Sequence, residues 1–206
     1  MKRNEQIEQM KMKIIQGAIK EFNKHGYVMA SMNHICQHAE ISKGIIYHYF
    51  EDKDELYLAC VQVCYKTLYE YYLDNGKICI QNGDIRTFMQ LRIAFFKAYP
   101  ELRGLFFHAL LRTPTRLKPN IDALKTSLTN LNNEVYANYL KKLKLREHVS
   151  IKKAVLYLDV MQNAYNDYFR NTIESEEDFD GIVQQHEERI PEWIDMMVYG
   201  IAEEEF

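Results

Sequence analysis

The 206-residue sequence has few chain breakers: eight glycines and four prolines. Long uninterrupted helices are therefore favoured. No apolar run approaches the roughly 20 residues that a membrane span needs, so no membrane partner is expected. The opening residues, Met1-Lys2-Arg3-Asn4-Glu5, have no apolar stretch behind them, which argues against an export signal and for a cytoplasmic protein. The four cysteines, Cys36, Cys60, Cys64 and Cys79, form no C-x-x-C pair, and reduced thiols are the default. Cys60 and Cys64 are four apart, so on a helix they share one face. Two small buried residues is the simpler reading, and a metal or redox pair the other. P-loop, G-x-S-x-G, H-E-x-x-H and clustered metal-ligand patterns are all missing. That excludes the common catalytic classes and gives no reason to expect a cofactor. No segment alternates with a period of two long enough for a strand, and no 20–50-residue repeat is present. The reading is all-α.

What is present is unevenly distributed. Formal net charge is −3, but residues 1–50 carry +3 and the remainder −6. Four of the seven histidines, His25, His34, His38 and His48, also lie in the first fifty residues. A mildly basic end on an acidic body suits a DNA-binding module joined to a part that does not touch DNA.

Apolar residues at Ile7, Met10, Ile14, Ile15, Ala18, Ile19 and Phe22 step by three and four, which predicts one amphipathic helix over about 4–24. His25-Gly26 ends it. Ser31 can cap a short helix bearing Met32, Ile35, Cys36 and Ala39 on one side. Ser42 can cap a second, with Ile46 and Phe50 inward. Asp52, with Glu55 three residues on, resembles a capping box at the start of a long helix. One long and two short helices with a tight turn make a helix-turn-helix in a three-helix setting. The long helix runs from near Lys53 at least to Leu73, with Asn75-Gly76 and Asn82-Gly83 as rival breaks. Asp84 caps the next helix and Pro100 starts another. Further helices are predicted at about 120–145, 150–173 and 180–203, with an acidic connector at Glu174–Asp180.

The ordered run Gly26-Tyr27, Ser31 to Cys36, Ala39-Glu40-Ile41-Ser42-Lys43-Gly44-Ile45-Ile46-Tyr47-His48-Tyr49-Phe50, then Lys53 and Leu56, resembles the TetR family. Members typically show A-G-V-S-K-G-T-L-Y-x-Y/H-F followed by x-x-K-x-x-L. The resemblance is sharp over about residues 10–60 and architectural beyond. It implies an N-terminal helix-turn-helix domain (1–52) and a larger helical effector-binding and dimerisation domain (53–206). Physically, the second short helix of such a motif presents its N-terminal residues to base edges. With Ile46 and Phe50 inward, Lys43, Gly44, Tyr47 and His48 face outward. Lys43 can reach guanine or phosphate, and Ile45 a thymine methyl. By resemblance, Tyr47, Tyr49 and Lys53 are phosphate anchors, Asn33 reads a base, and Ser31 caps the first short helix at a phosphate. For the tyrosines the competing reading is packing, and for His48 plain exposure. Three departures stand out. Glu40 replaces the usual turn Gly and implies strain or a left-handed Glu; Cys36 replaces Ala; Ile45 replaces Thr.

Beyond residue 56 the chain is rich in aromatics, and the resemblance implies a small-molecule pocket there. Tyr65, Tyr69, Phe95, Phe96, Tyr99, Phe106, Phe107, His108, Leu111, Tyr136, Tyr157, Met161 and Tyr165 are candidates by position, each open to a core role instead. Two stripes fit a homodimer seam or an intrachain core: Ile151, Val155, Leu158, Gln162, Tyr165 and Phe169, and Ile190, Trp193, Ile194, Met197, Val198 and Ile201. The implied function is a ligand-responsive repressor that binds a palindromic double-stranded DNA operator as a homodimer. The competing reading is a helical protein-interaction adaptor, which gives Lys43, Gly44, Tyr47 and Lys53 no task.

Overall fold

The computed structural model describes residues 2–172 and 179–199. Ile201 and residues 174–178 of the acidic connector lie outside the described residues. Among the described residues the fold is all-α, with no strand. The helices are α1 (Lys2–Met29), α2 (Met32–Ala39), α3 (Lys43–Tyr49), α4 (Lys53–Asn75), α5 (Lys77–Asn82), α6 (Ile85–Ala98), α7 (Pro100–Leu111), α8 (Lys118–Leu140), α9 (Ile151–Thr172) and α10 (Phe179–Tyr199), with a 3₁₀ turn at Thr115–Leu117.

Local chemistry explains the boundaries. Gly26 has φ 63° and ψ −173° inside α1, so the helix is broken there and one short turn follows. Asp84 caps α6: its carboxylate accepts from Thr87 N at 3.0 Å and Thr87 Oγ1 at 2.7 Å. Asp52 accepts from Glu55 N at 2.8 Å, but the Glu55 carboxylate reaches back to Glu51 N (2.6 Å), one residue earlier than a regular capping box. Both rival glycine breaks operate: α4 stops before Gly76, and Gly83 (φ 58°) terminates α5. Ser31 and Ser42 stand at the N-cap positions of α2 and α3 without a side-chain cap bond.

The chain packs as two compact units. The first comprises residues 1–70 and 94–126. Its core runs from Ile14, Ala18 and Phe22 on α1, through Ile35 and Ile46 on the short helices, to Leu56, Tyr57, Val61 and Leu105, all 0% exposed. Cys60 and Cys64 are buried here, each with its thiol against a backbone carbonyl, Ile15 O and Leu102 O respectively. Burial pushes both thiols up, which disfavours the thiolate. Helix α7 lies against α1: Gly104 N donates to Asn23 Oδ1 at 2.8 Å, and the ring of His108 fills the space where a Gly26 side chain would stand.

The second unit comprises residues 71–93 and 127–206. One apolar cluster joins Tyr136 and Leu140 of α8, Ala154 and Leu158 of α9 and Met197 of α10. Tyr165 makes tilted ring contacts with Phe169, His186 and Trp193. The stripe Leu158, Tyr165 and Phe169 is therefore intrachain core, as are Ile190, Ile194, Met197 and Val198. A different face of α9, with Leu156, Val160, Ala164 and Tyr168, is exposed. The sequence period could not separate the two stripes, because α9 is apolar on both.

Candidate nucleic-acid interface and ligand region

The turn between α2 and α3 is built on Glu40, whose φ of 52° and ψ of 48° are left-handed. Its amide donates to Gln37 O and that of Ile41 to Cys36 O. These bonds satisfy the end of α2 and recover the cost of about 1–2 kcal/mol that a non-glycine residue carries there. The implied left-handed Glu is what the turn holds.

This turn aims α3. Ile46 and Phe50 are buried, while Lys43, Gly44, Ile45, Tyr47 and His48 are exposed along successive turns, with Asn33 exposed on α2. Tyr47 is 47% exposed despite its large apolar ring, so packing inside the chain does not account for it. The Lys43 ammonium lies 6.0 Å from the centre of that ring. A side chain at Gly44 would meet open space. Tyr49 is half-buried and packs edge-on against His48. The exposed set offers a cation, hydrogen-bonding donors and an apolar contact on one short helix.

Behind this face lies bracing that the sequence motifs did not announce. Glu21 of α1 is 2% exposed. It accepts from Ser31 N at 2.9 Å and lies 3.3 Å from His34 Nδ1 and 3.5 Å from His38 Nε2. Burial alone would raise its carboxyl, but the Ser31 amide and the nearby His25 and His34 overcome that and hold it below the ordinary range. The signal was present: Glu21 follows Ile14 by seven residues, on the buried stripe.

Lys53, implied as a phosphate anchor, turns inward instead. Its Nζ donates to Ala30 O at 2.7 Å and Val28 O at 3.4 Å, and sits 4.8 Å from the Tyr27 ring centre. Burial lowers its affinity for a proton more than Glu21 and Asp54 raise it. Ser31 likewise is half-buried, with its amide bound to Glu21. Tyr27 donates to Asp54, and Arg116 from the 3₁₀ turn binds both.

The candidate ligand residues divide between the units. In the first, Tyr65, Phe95, Phe96, Tyr99, Phe106 and Phe107 form a chain of ring contacts, Tyr65–Phe106 at 5.8 Å and Phe95–Tyr99 at 4.9 Å among them. His108 and Leu111 are buried nearby on α7, while Tyr69 is half-buried. In the second, Tyr136 donates to Gln162 Oε1 at 3.1 Å, Met161 packs against the Tyr136 cluster, Tyr165 donates to His186 O at 2.7 Å, and Tyr157 is exposed. Most of these rings are packing. A cavity of about 740 Å³ does lie within the second unit, bordered by the α5–α6 turn, α6, the end of α8 and α10. None of the aromatic candidates lines it. Its polar members, Arg92 and Glu187 foremost, carry no family motif and were invisible in the sequence.

Residues 14–60 match the sequence profile of the bacterial regulatory proteins of the tetR family. Over that segment the chain is similar to the TetR family. Proteins similar to this chain include the transcriptional repressor AcnR of Corynebacterium diphtheriae, 29% identical over 75 residues, and the biofilm operon regulator IcaR of Staphylococcus epidermidis, 32% identical over 66. The matched segments cover 36% and 32% of this chain. The chain spans only about two fifths of the length of these curated relatives, 40% and 36%. The match therefore concerns the helix-turn-helix and its surroundings. The fold continues further: the crystal structure of FadR from Bacillus subtilis, solved with stearoyl-CoA, superimposes with a TM-score of 0.60 over 85% of this chain and 96% of that one, at 13% identity.

Proposed function

We propose that this chain is a TetR-family transcriptional repressor that grips a palindromic DNA operator as a homodimer and is released by a small molecule. The observation that carries the reading is the exposed α3 face, Lys43, Gly44, Ile45, Tyr47 and His48, held by a left-handed turn and a buried carboxylate. A large half-exposed tyrosine beside a lysine on a helix this short matches what phosphate positioning and base reading require. In this reading residues 1–52 are the reading head and residues 53–206 carry the effector and the dimer seam. Lys53 serves by fixing α4 to the α1–α2 loop, and Ser31 by its amide bond to Glu21. Repression agrees with the names of AcnR and IcaR, a repressor and a negative regulator. Two heads must sit about one DNA turn apart, roughly 34–36 Å, so a small change in their separation weakens binding.

The test is an electrophoretic shift with the chain's own upstream DNA across a salt series. Phosphate contacts release counterions, so affinity must fall steeply as salt rises. A Lys43→Ala/Tyr47→Ala variant should keep its helical content and oligomeric state and lose DNA affinity by on the order of 100-fold. Unchanged affinity in that variant would sink the proposal.

A further inference from the structure

One carboxylate ties both ends of α2 to α1. Glu21 Oε1 accepts from the amide of Ser31, at the N-cap of α2, at 2.9 Å and lies 3.3 Å from Nδ1 of His34 in the first turn. Glu21 Oε2 lies 3.5 Å from Nε2 of His38 in the last turn. The Glu21 side chain is 3% exposed, whereas those of His34 and His38 are 57% and 43% exposed. A fixed buried charge therefore faces two rings that exchange protons freely with water. An eight-residue helix does not hold itself in water, so α2 depends on what seats it. Ile35 and Ala39 are its buried residues, and a Cβ at Gly17 would stand 2.8 Å from Ala39 Cβ. The left-handed turn at Glu40 follows Ala39 directly, so the pose of α2 is passed on to α3.

A buried carboxylate needs partners for its charge. Burial pushes the Glu21 carboxyl up, and the Ser31 amide with His25 and His34 outweighs it. Among the described residues, the charged and titratable groups facing Glu21 are His25 on α1, His34 and His38 on α2, and Lys53 on α4. Lys53 is committed to Ala30 O and Val28 O. Imidazole is the side chain that changes charge between pH 5 and 8. A protonated ring donates from both nitrogens, and a charge-assisted hydrogen bond is roughly twice as strong as a neutral one.

We propose that Glu21 is a positioning residue for DNA binding, gripping α2 more firmly when His34 and His38 carry protons, so that DNA affinity rises as pH falls from 8 to 6. The inference rests on the DNA-binding reading above and adds a proton dependence to it. The grip is fullest where the imidazoles are charged and Glu21 is still ionised, and it weakens as pH rises through the imidazole range. Glu21 touches no DNA in this scheme. It acts through the pose of α2 and α3.

Two measurements on the full chain, each at pH 6 and pH 8, test this. The first needs no DNA: amide hydrogen exchange, with protection factors for residues 31–39 corrected for the intrinsic effect of pH. Protection should be about fivefold greater at pH 6, the margin of a charge-assisted bond over a neutral one. His34→Gln/His38→Gln, at exposed positions, should bring that ratio down to about one. The second is affinity for the chain's own upstream DNA in a His48→Gln background, which removes the titratable ring of α3 itself. Affinity should be about fivefold higher at pH 6, and His34→Gln/His38→Gln should again remove the ratio. The slope of log affinity against log salt should stay unchanged in that variant, because neither ring contacts a phosphate. Glu21→Gln supplies the sign. Removing a negative charge near the DNA would raise affinity at both pH values by simple attraction, whereas loss of the brace lowers it, most at pH 6. Protection indifferent to pH, a pH ratio that survives His34→Gln/His38→Gln, a salt slope reduced by that variant, or affinity raised by Glu21→Gln overturns the proposal. Protection that depends on pH in a chain that binds no DNA keeps the Glu21 brace and removes the repressor reading instead.

Discussion

Arg116 grips both oxygens of Asp54, Nη2 to Oδ1 at 2.7 Å and Nε to Oδ2 at 3.1 Å, and its Nη2 also donates to Tyr27 Oη at 2.6 Å. The turn after α7 is thereby fastened to the first turn of α4 and to the end of α1. A bidentate guanidinium–carboxylate fork fixes direction as well as distance. The Tyr27 hydroxyl first, and Arg116 with it, hold the Asp54 carboxyl below its ordinary range against the opposing effect of burial. A carboxylate lowered in the folded state contributes stability above its unfolded value, about 3.9, and loses it only as pH falls through the lower folded value. The bracket should therefore be constant from pH 5 to 8. Arg116→Ala should leave the helical content intact and accelerate amide hydrogen exchange in residues 53–56 severalfold. Exchange unchanged there would show that α4 is positioned without it.

Gly26 and His108 make a second seam, between α1 and α7. A Cβ at Gly26 would lie 2.6 Å from His108 Nδ1 and 2.9 Å from its Cε1, on a backbone at φ 63° that side chains rarely adopt. Gly26→Ala combines backbone strain with overpacking and should destabilise the chain by about 2–4 kcal/mol in denaturant unfolding. Burial, with Arg112 and His25 nearby, pushes the His108 imidazole down to about 4. The folded chain thus keeps it neutral while the unfolded chain protonates near 6.5. Stability should fall as pH drops from about 6.5 towards 4, by on the order of 2–3 kcal/mol at most, and be insensitive to this group above pH 7. His108→Gln should flatten that slope in a pH series of melts.

Lys43 and Lys53 are separable by salt. Lys43 is exposed on α3, whereas the Lys53 ammonium is bonded to Ala30 O. Lys43→Gln should reduce the slope of log affinity against log salt by about 0.9, the share of one phosphate contact. Lys53→Gln should leave that slope unchanged and cost about 1–2 kcal/mol of stability through lost hydrogen bonds to the chain. A slope reduced by Lys53→Gln would return it to the DNA surface.

The helix-turn-helix was largely legible because its constraints are local. The α2–α3 turn, the inward pair Ile46 and Phe50, the glycine break at 26 and the cap at Asp84 each follow from side-chain spacing or backbone preference within a few residues. What escaped depends on distant partners. Arg116 meets Asp54 across 62 positions and Arg92 meets Glu187 across 95. No periodicity marks either pair in advance. Phe95, Phe96, Phe106 and Phe107 satisfy one another as ring contacts, while the cavity is lined mainly by aliphatic and charged residues, with Tyr139 its one aromatic among the described residues.

The surface of α9 supplies the remaining prediction. Leu156, Val160, Ala164 and Tyr168 recur every four residues and are exposed, with Leu156 at 61%, Val160 at 54% and Tyr168 at 53%. On α10, Met196 is also exposed at 54%. Large apolar residues in one continuous line mark a surface that a partner can cover, which in the proposed homodimer is a second copy of the chain. Their burial is worth about 25 cal/mol for each Å² removed from water. A carboxylate placed within that line would have to be desolvated without a counter-charge, at several kcal/mol. Leu156→Glu/Val160→Glu should therefore convert the proposed dimer to monomer in light scattering, while circular dichroism and the core around Leu158 remain intact. DNA binding should fall with it, because a single head loses the second half-site. A dimer that survives both substitutions would place the seam elsewhere.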